Sequence, residues 1–181
     1  MSREKNLTRD LTLAGLMVAV GFVLHGFFPA IVAGMKPDFS LIMLILFALL
    51  RRDRKITIAA GVATAIITAL TTTFPGGQLP NIIDKLLTTA VVLGLTMFAE
   101  GYYNAIITGI IGTIVSGVTF LTSALLISGL PAPYKVLFFS VVLPATALNT
   151  VAIAVLYPVV VKLNQMIKPR TATASRTTKV A

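Results

Sequence analysis

Apolar residues run through this chain in long blocks, broken by short stretches that are either charged or rich in Pro and Gly. At roughly 20 residues per membrane crossing, and fewer where loops dip into the bilayer, the pattern predicts six spanning helices. They fall near Leu11 to Phe28, Phe39 to Leu50, Ile56 to Thr73, Asn81 to Ala99, Ala105 to Ser128 and Tyr134 to Val161. The second block is short between its polar bounds, so its span is expected to begin earlier, within Ala30 to Met35. The reading is an all-α integral membrane protein, a six-transmembrane-helix bundle over residues 1–163, with a basic tail over 164–181 that has a disordered composition. The charged-then-apolar start is also the order of a signal peptide. The run is long for one and further spans follow, so it is read as a permanent first helix.

Composition agrees with the pattern. Of 181 residues, 56% are hydrophobic and 12% charged, with mean hydropathy +0.94, which is more apolar surface than a soluble domain of this size could bury. The net charge of +9 would suit nucleic acid only if the cations shared one solvated face. They flank apolar spans instead, so no nucleic-acid partner is expected. Their distribution orients the chain, because short cytoplasmic loops retain Lys and Arg. With the N-terminus inside, the cytoplasmic side holds Arg3, Lys5, Arg9, Arg51, Arg52, Arg54, Lys55, Lys162, Lys168, Arg170, Arg176 and Lys179, leaving only Lys36, Lys85 and Lys135 outside. Both termini are thus predicted to be cytoplasmic in a multi-pass protein of the cell membrane.

Chemistry of the usual enzymatic kinds finds little material. There is no Cys and a single histidine, His25, which excludes disulfides and thiolate nucleophiles and argues against a multi-ligand metal site. No cofactor and no metal are expected. Pairing His25 with Ser116 would imitate a serine hydrolase, but no third group or Gly-x-Ser-x-Gly setting accompanies them. The chain has no phosphate-binding Gly-x-x-x-x-Gly-Lys-[Ser/Thr] loop, so it is not itself a P-loop ATPase.

The polar residues inside the apolar blocks carry the functional signal. Asn81, Asp84, Lys85 and Thr88 lie at helical spacing on one face of the fourth span, with Ile82, Ile83, Leu86 and Leu87 on the other. Two readings stand: an interfacial Asp84 beside a snorkelling Lys85, or a polar wall on a cavity under the outer loops. "GMKPD", Gly34 to Asp38, repeats the chemistry, with Lys36 and Asp38 either solvated and capping a helix or facing a ligand. Two acids and two bases suit a zwitterion. Its ammonium wants Asp38 or Asp84, and its carboxylate wants Lys36, Lys85 or bare backbone N–H groups in the Gly76-Gly77 turn. In the sixth span Pro144 precedes Asn149 by about one turn, which frees a backbone carbonyl and leaves Asn149 either bonding between helices or binding a ligand. Phe27, Phe28, Phe74 and Phe120 could line such a site or face lipid. Small residues at Gly15 and Ala19, and at Gly109, Gly112, Thr113, Ser116 and Gly117, are spaced for close helix contacts.

Four ordered motifs, "GMKPD", "FPGGQLPNIIDK", "GTIVSGVTFLTSALL" and "LPATALNT", resemble the bacterial tryptophan transporter family over about Leu11 to Lys162. Members of that family are regarded as substrate-binding (S) components of energy-coupling factor (ECF) transporters. The resemblance implies a six-helix ECF S component with a pocket near the outer face, closed by the loops after helices one, three and five. It implies tryptophan as substrate, a shared transmembrane coupling subunit and two cytoplasmic ATPase subunits as partners, and Gly15 and Ala19 as the contact with the coupling subunit. For an indole, Met35 and Phe74 would supply the lining, with Gln78 or Asn149 accepting the indole N–H. Residue-level reading by itself supports an amphipathic zwitterion with an apolar body.

Overall fold

The computed structural model describes residues 2–27, 37–98 and 100–167, the side chains of 2–6 and 167 aside. All regular structure among them is helical: α1 (Ser2–Phe27), α2 (Phe39–Arg51), α3 (Arg54–Leu70), α4 (Gln78–Phe98), α5 (Tyr102–Ile127) and α6. The last runs through Tyr134–Leu137, a π-helical turn over Phe138–Val142, and Leu143–Ile167. Four stretches are long and apolar enough to cross a bilayer, Leu7–Phe27, Gln78–Phe98, Tyr102–Ile127 and Tyr134–Met166. Helices α2 and α3 are shorter, with 13 and 17 residues.

The short α2 is the axis of the bundle. Every residue from Phe39 to Leu49 is buried, so this helix is apolar on all sides because it has neighbours on all sides. It packs against α1, α3, α4, α5 and α6, while the outer helices pack in the order α1, α3, α4, α5, α6 around it. Leu41, Ile42, Leu44, Ile45, Leu46 and Phe47 are almost wholly enclosed and join Val92, Ala105 and Ile153 in one core. In lipid the gain comes from packing rather than from escape from water, so small residues at the contacts matter. A Cβ at Gly109 would lie 2.8 Å from the Ile153 Cδ1 atom, and one at Gly117 would lie 2.5 Å from Val142 Cγ1. The small residues of α5 are therefore used, in part, to seat α6.

Local chemistry sets the ends. Asp38 caps α2, its Oδ1 accepting from the Leu41 N–H at 3.1 Å. At the other end Arg52 turns the chain in the left-handed region (φ 50°) with its N–H on the Ala48 carbonyl, and Asp53 caps α3 through the Ile56 N–H. In α6 the π-helical turn ends just before Pro144, which has no N–H to give and would crowd the preceding turn of an α-helix. The Thr146 hydroxyl donates to the Val142 carbonyl at 2.8 Å, returning a partner to the loosened backbone.

Several boundaries depart from the sequence pattern, among them the starts of α4 and α5, at Gln78 and Tyr102 rather than Asn81 and Ala105. α1 starts at Ser2 rather than Leu11, since the polar N-terminal residues continue the same helix. α3 stops at Leu70, where Thr71 closes the last turn and Thr72 begins a loop, rather than at Thr73. α6 continues to Ile167, past the expected end at Val161 and past the proposed domain end at 163. Helix α2 begins at Phe39 after Pro37 and its Asp38 cap, and the earlier start expected within Ala30 to Met35 lies outside the described residues.

Candidate functional site

The loop between α3 and α4 shapes one lip of a cavity. Phe74-Pro75-Gly76-Gly77 closes a turn through the Gly77 N–H on the Phe74 carbonyl at 2.9 Å, with Pro at the second position and positive φ (68°) at the third, Gly76. A side chain at Gly76 would also collide with Ser128 at the end of α5, its Cβ coming 2.6 Å from the Ser128 Cβ. The turn points Phe74 inward, where its ring meets Phe120 of α5 edge-on at 5.2 Å. Behind this pair lies a cavity of about 710 Å3, inside the range of about 300–1,000 Å3 usual for small-molecule sites.

A charged cluster forms its polar wall. Lys85 Nζ lies 2.8 Å from Asp38 Oδ2, 2.9 Å from Asp84 Oδ2 and 3.2 Å from Ser116 Oγ. The Ser116 hydroxyl donates to Asp84 Oδ2 at 2.9 Å, and Thr88 donates to Asp84 Oδ1 at 3.0 Å. His25 Nδ1 stands 3.7 Å from Asp38 Oδ1. Asn149 completes the wall by bridging helices: its Oδ1 accepts from the Asp38 N–H at 2.8 Å and its Nδ2 donates to Thr113 Oγ1 at 3.2 Å. Five helices thus hold one network, as buried charge requires.

Burial separates the members. Asp84 and Lys85 keep 2% and 3% of their surface, whereas the Asp38 side chain keeps 25%. Lys85 points into the bundle and does not snorkel. The cluster carries two acids against one lysine, and its accessible edge is the Asp38 carboxylate. Much of the remaining lining is apolar, from Phe22, Phe74, Phe120, Leu121, Leu137 and Val141. The arrangement suits an elongated solute with a cationic head and a broad apolar body.

Of the residues singled out in the sequence, Asp38, Phe74, Asn81, Asp84, Lys85 and Asn149 all line this cavity. Gly76, Gly77 and Gln78 do not. The Gly77 N–H is spent on Phe74, Gly76 is turned against Ser128, and Gln78 is exposed as the first residue of α4. Asn81 also looks partly backward, its Nδ2 donating to the Gly77 carbonyl at 2.8 Å. Met35, Lys36 and Phe28 lie outside the described residues. Phe27 is exposed. Glu100, the acid that follows α4, is 80% exposed and paired to Arg52 at 2.7 Å.

Sequence reasoning passed over Phe22, Thr113, Ser116 and Gly117 as site residues. Thr113, Ser116, Gly117 and Phe120 follow the i, i+3, i+4, i+7 pattern, so one face of α5 was available to find them. Their small size reads first as helix packing, which Gly117 also serves.

With this geometry in place, comparison with known proteins becomes informative. The description "Tryptophan transporter TrpP" matches residues 7–165 as a family. This chain belongs to the tryptophan transporter TrpP family. It is 48% identical over 158 residues to a probable tryptophan transport protein of Clostridium acetobutylicum, covering 85% of this chain and 92% of that one. A protein of the same description from Bacillus subtilis is 44% identical over 156 residues, covering 84% and 91%. A third, from Clostridium perfringens, is 40% identical over 171 residues, covering 87% and 94%. No solved structure matches significantly. The TrpP family is one of transporters, not of enzymes.

Proposed function

We propose that this protein imports tryptophan across a bacterial cell membrane, binding it in the cavity lined by residues of all six helices, as the S component of an ECF-type importer. The observation that carries the reading is the pairing, in a TrpP-family chain, of a charged wall with an aromatic one across a single cavity. The substrate ammonium sits at Asp38, the accessible acid of the cluster, while Asp84 and Ser116 hold Lys85 in place. The indole lies among Phe22, Phe74 and Phe120, and Asn149, whose oxygen has a second lone pair, accepts its N–H. Following the family resemblance, we assign Lys36 to the substrate carboxylate and Met35 to the indole lining, both outside the described residues. Both termini face the cytoplasm, following the Lys and Arg distribution.

ATP hydrolysis belongs to two cytoplasmic ATPase subunits, joined to this chain through a transmembrane coupling subunit. The contact runs along Gly15 and Ala19, both on the exposed face of α1, and a Cβ at Gly15 would meet nothing within 4 Å. A second reading is favoured by one observation, the carboxylate of Asp84 buried within a span. Under it the chain is a stand-alone carrier driven by an ion gradient, with Asp84 taking up a proton.

Binding of radiolabelled tryptophan to the detergent-purified protein tests the substrate, with leucine, tyrosine and riboflavin as competitors. Saturable binding displaced by none of the three is expected, and absence of any saturable site overturns the ligand class. Asp84→Ala and Lys36→Ala should each weaken binding at least about tenfold, the scale of a lost charged hydrogen bond. Proteoliposomes holding this chain alone test the coupling: gradient-driven accumulation of tryptophan would replace the ECF reading with the carrier.

A further inference from the structure

The ring of helices around α2 is incomplete. Helix α1 packs on α3, α3 on α4, α4 on α5 and α5 on α6, but the backbones of α1 and α6 do not approach closely among the described residues. Met43, Leu50 and Arg51 of α2 form the floor of this seam. The result is a groove of about 800 Å3 between α1, α2 and α6, distinct from the substrate cavity. Leu13, Leu16, Met17 and Val20 of α1 form one bank, and Val160 and Leu163 of α6 form the other.

One end of the groove is basic. Arg9 and Arg51 both line it, and Asp10 lies beside both, 2.9 Å from Arg51 Nε and 4.0 Å from Arg9 Nε. Arg51 retains only 9% of its side-chain surface, so its charge is held at the groove rather than in bulk water. Thr8, Thr12 and Asn164 sit at the same end. Two guanidinium groups against one carboxylate leave a positive excess, placed where apolar walls give way to polar ones. An acyl chain matches the walls and a phosphate matches the fork geometry of arginine.

We propose that the seam between α1 and α6 binds an anionic glycerophospholipid, with an acyl chain along α2 and the headgroup phosphate on Arg9 and Arg51. The bound lipid fills the gap between α1 and α6, closing the ring over α2. The site stands independently of what the substrate cavity carries.

Native mass spectrometry of the full chain, released from detergent with phosphatidylglycerol or phosphatidylcholine of identical acyl chains, tests this. The expected result is retention of phosphatidylglycerol at least about tenfold above phosphatidylcholine, the scale of one charge-assisted hydrogen bond. Arg9→Gln with Arg51→Gln should bring the two lipids to near parity, whereas Arg54→Gln with Lys55→Gln, equal in charge but outside the groove, should leave the preference intact. Leu163→Trp, which fills the groove without changing charge, should lower retention of both lipids. Should the double arginine variant fail to fold, Arg9→Gln alone and Leu163→Trp carry the test, because the Arg9 contact is long and Leu163 is exposed. Equal retention of the two lipids by the wild type, a preference unmoved by Arg9→Gln, or retention of both lipids unmoved by Leu163→Trp overturns the proposal. So does photocrosslinking from position 163 in intact membranes that captures a partner polypeptide and no lipid.

Discussion

The two ends of α2 handle charge differently. At Asp38 the helix begins against a lysine, a second acid, a serine and an asparagine delivered by α4, α5 and α6, almost all shielded from solvent. At Arg51 and Arg52 it ends against Asp10 and Glu100, in two separate pairs, the second of them open to solvent. The first end spends its charges on fixing helices around a cavity. The second spends them on anchoring helix ends where water or headgroups can take over. Charge in a bundle of this kind is thus either locked by several partners or left replaceable, and the consequence of removing a partner should differ accordingly.

Substitutions can break this contrast. Lys85→Met should have the largest effect, since it leaves Asp38 and Asp84 facing each other: a loss of about 3–5 kcal/mol is expected in denaturant unfolding, with tryptophan binding abolished. Restoring part of that stability by adding Asp84→Asn would confirm that unpaired charge, not lost packing, is the cause. Asp38→Asn keeps a competent helix cap but removes the charge offered to the ammonium. It should weaken tryptophan binding by at least about tenfold in equilibrium dialysis while changing stability less than Lys85→Met does. Asn149→Leu removes the bridge between α2 and α5 and should cost about 1–3 kcal/mol in the same unfolding assay. Smallest of all, Glu100→Gln at the other end should cost less than about 1 kcal/mol, because the pair with Arg52 is exposed. If it costs as much as Lys85→Met, the contrast between the two ends fails.

Much of the bundle was legible in the sequence because lipid enforces a simple rule: apolar blocks of span length are helices. The polar face of α4 was equally plain, since Asn81, Asp84, Lys85 and Thr88 repeat at the helical period. What spacing does not encode is which face meets which. The bond from Lys85 to Asp38 crosses 47 residues, and Asn149 reaches back 111 residues to the Asp38 N–H. Ser116 was hidden for a different reason, because a small hydroxyl among glycines reads as packing until a charge is seen beside it. Gly76 and Gly77 misled in the opposite direction. Their freedom suggested open backbone donors, but it serves a tight turn whose N–H is already bonded. The π-helical turn of α6 had a partial sign in Pro144, which announces disturbed backbone without specifying its form.

The central place of α2 also bears on the order in which the protein can be assembled. With 13 residues, about 20 Å of helix, it falls short of a hydrocarbon layer about 30 Å thick, yet it leaves the ribosome ahead of four of the five helices that will enclose it. Until α4 emerges, Asp38 lacks Lys85, so the newborn α2 has reason to wait near the membrane surface or in the insertion machinery. Its final descent is then a late event, triggered by the arrival of its counter-charge rather than by its own greasiness.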